Sequence, residues 1–222
     1  MPKYTDEYIE RRRDWWMAGF KFVSDANYKK AVDHCKMGLK LFPGDVVVEF
    51  KYYSVLCDFY LTDSKSKHTT ERKNAIAKMK TFLNKLKGLS PWAKNFIKNE
   101  YYYQSHNFKK QYELGINEYK KTKDKYELYS SGVGGAQYAL VLAKKGQRKR
   151  AESWAKKSIK AWEVYVDFDK KYYNSYVHYA LAWGVLGDEK KMMWALREGA
   201  KRCKKPLSYK EFQDVINEVR LL

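Results

Sequence analysis

The chain is poor in the residues that staple, punctuate or catalyse. Cysteine occurs only at Cys35, Cys57 and Cys203. That number is odd and the spacing wide, which excludes a disulfide framework and makes a reducing, cytoplasmic setting the simplest expectation. Proline occurs four times and glycine twelve times in 222 residues, mostly between periodic segments. Such sparsity argues against a turn-rich β fold and for long helices. The histidines His34, His68, His106 and His178 are far apart. No Cys-x2-Cys, His-x3-His, phosphate-cradling loop or nucleophile elbow occurs. Gly132-x-Gly134-Gly135 lacks the preceding strand of a dinucleotide loop, and is read instead as a place where helices pack closely. No apolar run approaches the roughly 18 residues of a membrane span, and Met1 to Glu10 is too polar for a signal peptide. The expectation is therefore a protein with no catalytic residues, no metal site, no cofactor and no membrane span, and one that is not an enzyme.

Two things are abundant. Aromatics make up 17% of the chain, with 20 tyrosines and 7 tryptophans, and rings of this kind suit helix–helix seams and binding surfaces alike. Positive charge is the other, at a formal +19 from 45 Lys and Arg against 26 Asp and Glu. A field of that size attracts nucleic acid, anionic lipid or an acidic protein. The excess is spread along the chain, with one richer stretch at 125–165, where nine cations face three acids.

Periodicity organises the rest. Trp15-x2-Ala18-Gly19-x2-Phe22 puts four residues on one helical stripe, and Tyr28, Ala31-x3-Cys35, Gly38 and Pro43 follow. Gly19 and Ala31 are small where two antiparallel helices would approach closely. This pattern resembles a tetratricopeptide repeat, with Cys35 in place of the usual aromatic. Tyr126 to Trp162 repeats the theme with Gly135, Ala136, Ala139, Leu142, Gly146 and Ala151. Tyr172 to Lys205 does so with Tyr176, Tyr179, Ala180, Trp183, Gly187, Met192, Leu196 and Gly199. In the middle, Phe50-x2-Tyr53-Ser54-x2-Cys57 reads as a first helix. A polar loop from Thr62 to Thr70 leads to a second helix around Ala75 to Leu86. Trp92 to Gln104 and Gln111 to Tyr119 read as a further pair.

The resemblance implies an all-α fold: a right-handed α-solenoid of about five antiparallel hairpins, as one domain over 1–222. The hairpins fall at about 14–43, 46–88, 92–123, 126–163 and 171–205. Residues 4–13 read as a short leading helix. Ser208-x-x-Glu211 is a capping-box pattern opening a terminal capping helix over 208–221.

In this family the first helix of each hairpin lines the concave face. Carried over by register, that lining comprises Trp16, Met17, Phe20, Val55, Asp58, Gln137, Leu140, Lys144, Asn174, His178 and Leu181. It suits a peptide or helix segment of a partner protein, acidic or amphipathic in character. Trp16 and Phe20 occupy places where relatives that grip acidic chaperone tails carry Lys and Asn, so that ligand is not expected. An alternative surface consists of Lys144, Lys145, Arg148, Lys149, Arg150, Lys156, Lys157 and Lys160, which could neutralise phosphates of nucleic acid. Trp154 and Trp162 lie nearby in sequence as candidate stacking platforms. Lys201, Arg202, Lys204 and Lys205 form a smaller basic cluster. Among Tyr101, Tyr102 and Tyr103 at least one is expected to be exposed, whereas Tyr172, Tyr176 and Tyr179 suit an interhelical seam.

Overall fold

The computed structural model describes residues 5–24, 27–62, 68–168 and 173–222, the side chains of Phe20, Ser24, Thr62, His68, Asp167 and Phe168 excepted. These residues form 11 α-helices and one short 3-10 turn, with no strand among them, and within each unit most consecutive helices pack against one another. The chain divides into two compact units, Met1–Ser105 and His106–Leu222. The division falls between the two helices that the sequence pairs as the hairpin 92–123.

The first unit holds α1 (Asp6–Ser24), α2 (Tyr28–Leu41), α3 (Val46–Thr62), α4 (His68–Phe82) and α5 (Pro91–Gln104), with the 3-10 turn Leu83–Lys85 following α4. α1 is one continuous helix, so the short leading helix expected at 4–13 is its first half. Nothing breaks the run: no Gly or Pro interrupts Asp6 to Ala18. α4 starts at His68, earlier than Ala75, because polar Thr69, Thr70 and Glu71 serve as its first turn. Residues 63–67 of the expected polar loop lie outside the described residues.

α3 touches α2, α4 and α5, which explains why Val46 to Cys57 is apolar around most of its circumference. Its start is fixed by Asp45, which is buried. One Asp45 oxygen accepts the Val47 and Val48 amides at 2.9 and 3.1 Å. The other accepts the Tyr8 hydroxyl at 3.0 Å and Arg12 Nη1 at 2.8 Å. A single carboxylate thus caps one helix and ties it to another. Ser90 caps α5 by accepting the Ala93 amide at 3.2 Å, with Pro91 at the first helical position. Between α1 and α2 the small residues act as read: a Cβ on Gly19 would lie 2.6 Å from His34 Cδ2. The His34 ring stacks on Trp15 at 5.3 Å and 5°. Its Nε2 sits 2.8 Å from the Trp15 carbonyl, while Trp15 Nε1 donates to the His34 carbonyl at 3.3 Å.

The second unit holds α6 (Phe108–Thr122), α7 (Glu127–Lys144), α8 (Arg148–Phe168), α9 (Tyr173–Val185), α10 (Glu189–Cys203) and α11 (Lys210–Arg220). α7 packs on α6, α8 and α9; α9 also packs on α8, α10 and α11. Enclosure on three sides matches the composition of α7, whose buried residues include Ser130, Ser131, Gly132, Gly134, Gly135, Ala136 and Ala139. A Cβ on Gly134 would come within 2.7 Å of backbone atoms of Phe108 and Tyr112. The 132–135 glycines therefore serve helix approach and no phosphate loop. Ser158 Oγ donates to the Gly132 carbonyl at 2.7 Å and Ser131 Oγ to the Tyr112 carbonyl at 3.1 Å, so these two buried hydroxyls are satisfied across the seam. Asp188 caps α10 by accepting the Lys191 amide at 3.0 Å. The Ser208–Glu211 capping box is not formed: α11 begins one residue later than that pattern requires, with Tyr209 at the cap position and no side-chain bond.

Candidate partner-binding surfaces

In the first unit the helices α1, α3 and α5 bring a ring cluster together. Trp16 of α1 meets Phe96 of α5 edge-on at 4.9 Å and Trp92 at 5.9 Å. One helical turn apart, Trp92 and Phe96 stack at 5.7 Å and 9°. The Lys51 ammonium of α3 lies 5.1 Å from the Trp16 ring and 5.9 Å from Phe96, close enough for cation–π attraction. Trp92 is 57% exposed and Met17, next to Trp16, 62% exposed. Large apolar side chains held rigidly yet left in water are the kind of residue that anchors a partner.

Beside the rings, α3, α4 and α5 share a polar network. Ser54 Oγ donates to Glu100 Oε1 at 2.8 Å. Gln104 Nε2 donates to Asp58 Oδ1 at 2.7 Å and to Glu100 Oε1 at 3.4 Å. Arg72 Nη2 donates to the Gln104 backbone carbonyl at 3.1 Å. Desolvation by burial, reinforced by the Glu100 charge, raises the Asp58 carboxyl to about 7. The Tyr103 hydroxyl is pushed up by burial as well. Burial also raises the thiols of Cys35 and Cys57, to about 11 and about 12, so both stay neutral packing groups at physiological pH.

The residues read from register fall into different settings. Trp16 is half-buried inside the ring cluster, Met17 is exposed, and the Phe20 side chain lies outside the described residues. Val55 is fully buried in the core formed by Trp15, Ala31, Val32, Cys35, Phe42 and Val48. Asp58 is half-buried and belongs to the polar network. In the second unit Gln137 and Asn174 are half-buried, whereas Leu140 and Leu181 are core. Exposed Lys144 pairs with Glu218 of α11. His178 is half-buried, its imidazole stacked parallel to Trp162 at 6.3 Å and 6°. Desolvation lowers it to about 4, so the ring is neutral at physiological pH.

Of the basic run, Arg148 pairs with Glu152 at 3.4 Å and Arg150 donates to Gln147 at 2.6 Å. Lys145, Lys149, Lys156, Lys157 and Lys160 are exposed, with Lys157 over the Trp154 ring at 4.4 Å. Trp162 is fully buried and unavailable for stacking on bases, and Trp154 is half-buried between Tyr112 and Tyr138. Tyr101, Tyr102 and Tyr103 are all half-buried, so the exposed tyrosine expected among them is not found. Tyr176 and Tyr179 are buried, while Tyr172 lies outside the described residues.

Sequence reasoning missed Trp92, Phe96 and Lys51 as surface residues. The available signal was the i, i+4 pair of rings directly after the Ser90-Pro91 helix start. Among the described residues no group of three His, Cys, Asp or Glu side chains is placed to hold a metal ion, and no helix is long and apolar enough to cross a membrane. No protein-family model matches the chain, and no curated protein matches it either.

Proposed function

We propose that this protein is a tetratricopeptide-like helical-repeat scaffold that binds a peptide or helix segment of a partner protein through the face of α1, α3 and α5. The observation that carries the reading is the exposure of Trp92 and Met17 beside the Trp16–Phe96–Lys51 cluster. The helix packing supports the repeat reading. In each unit a first-of-pair helix touches its own partner and the next first-of-pair helix, as α3 does with α4 and α5, and α7 with α8 and α9. Lys51 and the general positive charge favour a partner segment that is acidic or amphipathic. The test is affinity capture with and without nuclease, comparing the wild type with Trp92→Ala/Met17→Ala. A nuclease-resistant partner retained by the wild type and lost by the variant supports the reading. Equal capture by a folded variant refutes it.

A second reading has its own observation: the five exposed lysines Lys145, Lys149, Lys156, Lys157 and Lys160 form no ion pair among the described residues. Such a surface would bind nucleic acid through phosphates, with an affinity that falls steeply with salt. Neutralising Lys145, Arg148, Lys149 and Arg150 together should then abolish RNA or DNA binding at low salt. Binding that is absent, or unchanged in that variant, removes this reading.

A further inference from the structure

Within the second unit, the groove between α10 and α11 has an apolar floor and a cationic rim. One end is a concavity of about 500 Å³ whose lining includes Met192, Met193, Ile216, Val219, Arg197 and Arg220. The other, formed by α10 and the turn that follows it, is a shallower bowl of about 410 Å³ lined by Arg197, Ala200, Lys201, Lys204, Lys205, Pro206 and Leu207. Arg197 belongs to both, so the two are continuous along α10. Met193, Arg197, Ala200 and Lys204 are spaced 4, 3 and 4 residues apart and form one stripe on that helix, about 16 Å long at 1.5 Å per residue.

Charge on this surface is one-sided. Five cations line it (Arg197, Lys201, Lys204, Lys205 and Arg220) against one acid, Glu189. Lys201 already leans on Glu198 at 2.8 Å. Among the described residues Arg197, Lys204 and Arg220 have no acidic partner. The floor argues against a purely electrostatic ligand: half-buried Met193, Ile216 and Val219 are apolar, and methionine adapts to the shape of an incoming side chain.

The packing of the unit indicates what shape would fit. α8 lies against both α7 and α9, so a second-of-pair helix is clasped by the first-of-pair helices on either side. α11 packs on α9 as a further first-of-pair helix; a Cβ on Gly184 of α9 would come within 2.3 Å of Val219. α10 packs on α9 but is not clasped by α11 as α8 is by α9, which leaves the groove open between them.

We infer that the α10–α11 groove binds an acidic amphipathic helix of a partner protein, of about three turns, apolar side toward Met193, Ile216 and Val219 and carboxylates toward Arg197, Lys204 and Arg220. The inference rests on the partner-binding reading but names a second surface, independent of the α1–α3–α5 face.

The test uses the full chain labelled with 13C at the methionine methyls, titrated with a synthetic peptide of about 16 residues. Its leucines stand at i, i+3, i+4 and i+7, with glutamates on the flanks. The expected result is a shift of the Met192 and Met193 methyls with micromolar affinity. Met17 and Met37 stay put, and the affinity falls about tenfold or more in Arg197→Glu/Lys204→Glu, whose fold is checked by circular dichroism. No shift at about 1 mM peptide overturns the inference. Shifts at Met17 alone also overturn it, while leaving the α1–α3–α5 reading intact. A scrambled peptide that binds equally would reduce the groove to a charge patch. Concentration-dependent shifts without peptide would make a second copy of the chain the occupant. Single-stranded RNA displacing the peptide at equal concentration would favour a nucleic acid. Each of these three results overturns the inference.

Discussion

Both units bury rings, Trp162 and Phe212 among them in the second, but they differ in how much small residues contribute to the seams. The first is built on large rings: Trp15, Phe42, Phe50 and Phe82 fill its seams, and a polar network ties α3, α4 and α5 together. The second adds small residues: the serines, glycines and alanines of α7 let α6 and α8 come close enough for side chains to bond directly to neighbouring backbone carbonyls. A seam filled by rings fixes helices through ring shape and leaves spare ring surface at its margins, as at Trp92. A seam of small residues fixes helices through backbone approach and tolerates no added atom.

The largest effect is expected in the first unit at Asp45. Asp45→Ala leaves two α3 amides uncapped and Arg12 without its carboxylate, and should cost about 3 to 4 kcal/mol in denaturant unfolding. A loss below about 1 kcal/mol would show that the capped, ion-paired geometry is not what holds α1 to α3. In the second unit Gly134→Ala should cost about 2 to 3 kcal/mol, because the new methyl meets backbone rather than a movable side chain. Were it neutral, the close approach of α6 and α7 would be wrong. Ser158→Ala, which removes one buried hydrogen bond to Gly132, should cost about 1 kcal/mol in the same assay.

One group in each unit, Asp58 and His178, gives a pH dependence of opposite sign. Asp58 titrates above its unfolded value, so between roughly pH 4 and 7 the folded state holds a proton that the unfolded state has lost, and this group's contribution falls as pH rises through that window. His178 titrates below its unfolded value. As pH drops from about 6.5 to about 4 the unfolded state binds a proton that the folded state refuses, so its contribution falls as pH falls. Asp58→Asn should make the stability of the chain rise relative to wild type on going from pH 5 to pH 7, and His178→Phe should flatten the loss below pH 6.5. Parallel profiles for wild type and either variant would contradict the assignment. The smallest stability effect belongs to Trp92→Ala, under about 1 kcal/mol for a ring more than half in water.

How much of this the sequence carried differs by region. The helical fold and the close-packing role of Gly19 and of the 132–135 glycines were legible because small residues at helical spacing have few other uses. The 92–104 and terminal helices were legible from periodicity. The α1–α3–α5 face was legible only in part. Rotation by one residue turns a side chain by about 100° on a helix, which is enough to send Val55, Leu140 and Leu181 into the core while Met17 stays in water. Asp45 was hidden because its value depends on Tyr8 and Arg12, more than 30 residues away in the chain. The reach of α4 back to His68 was hidden for a different reason: a polar first turn looks like a loop until its packing is known.

The most direct test of the account is a hydroxyl-radical footprint of the full chain, alone and with its captured partner. Oxidation of Trp92 and Met17, exposed oxidisable side chains of α5 and α1, is expected to fall sharply in the complex. Unchanged oxidation there, with protection confined to the 144–160 basic segment, would contradict the central claim.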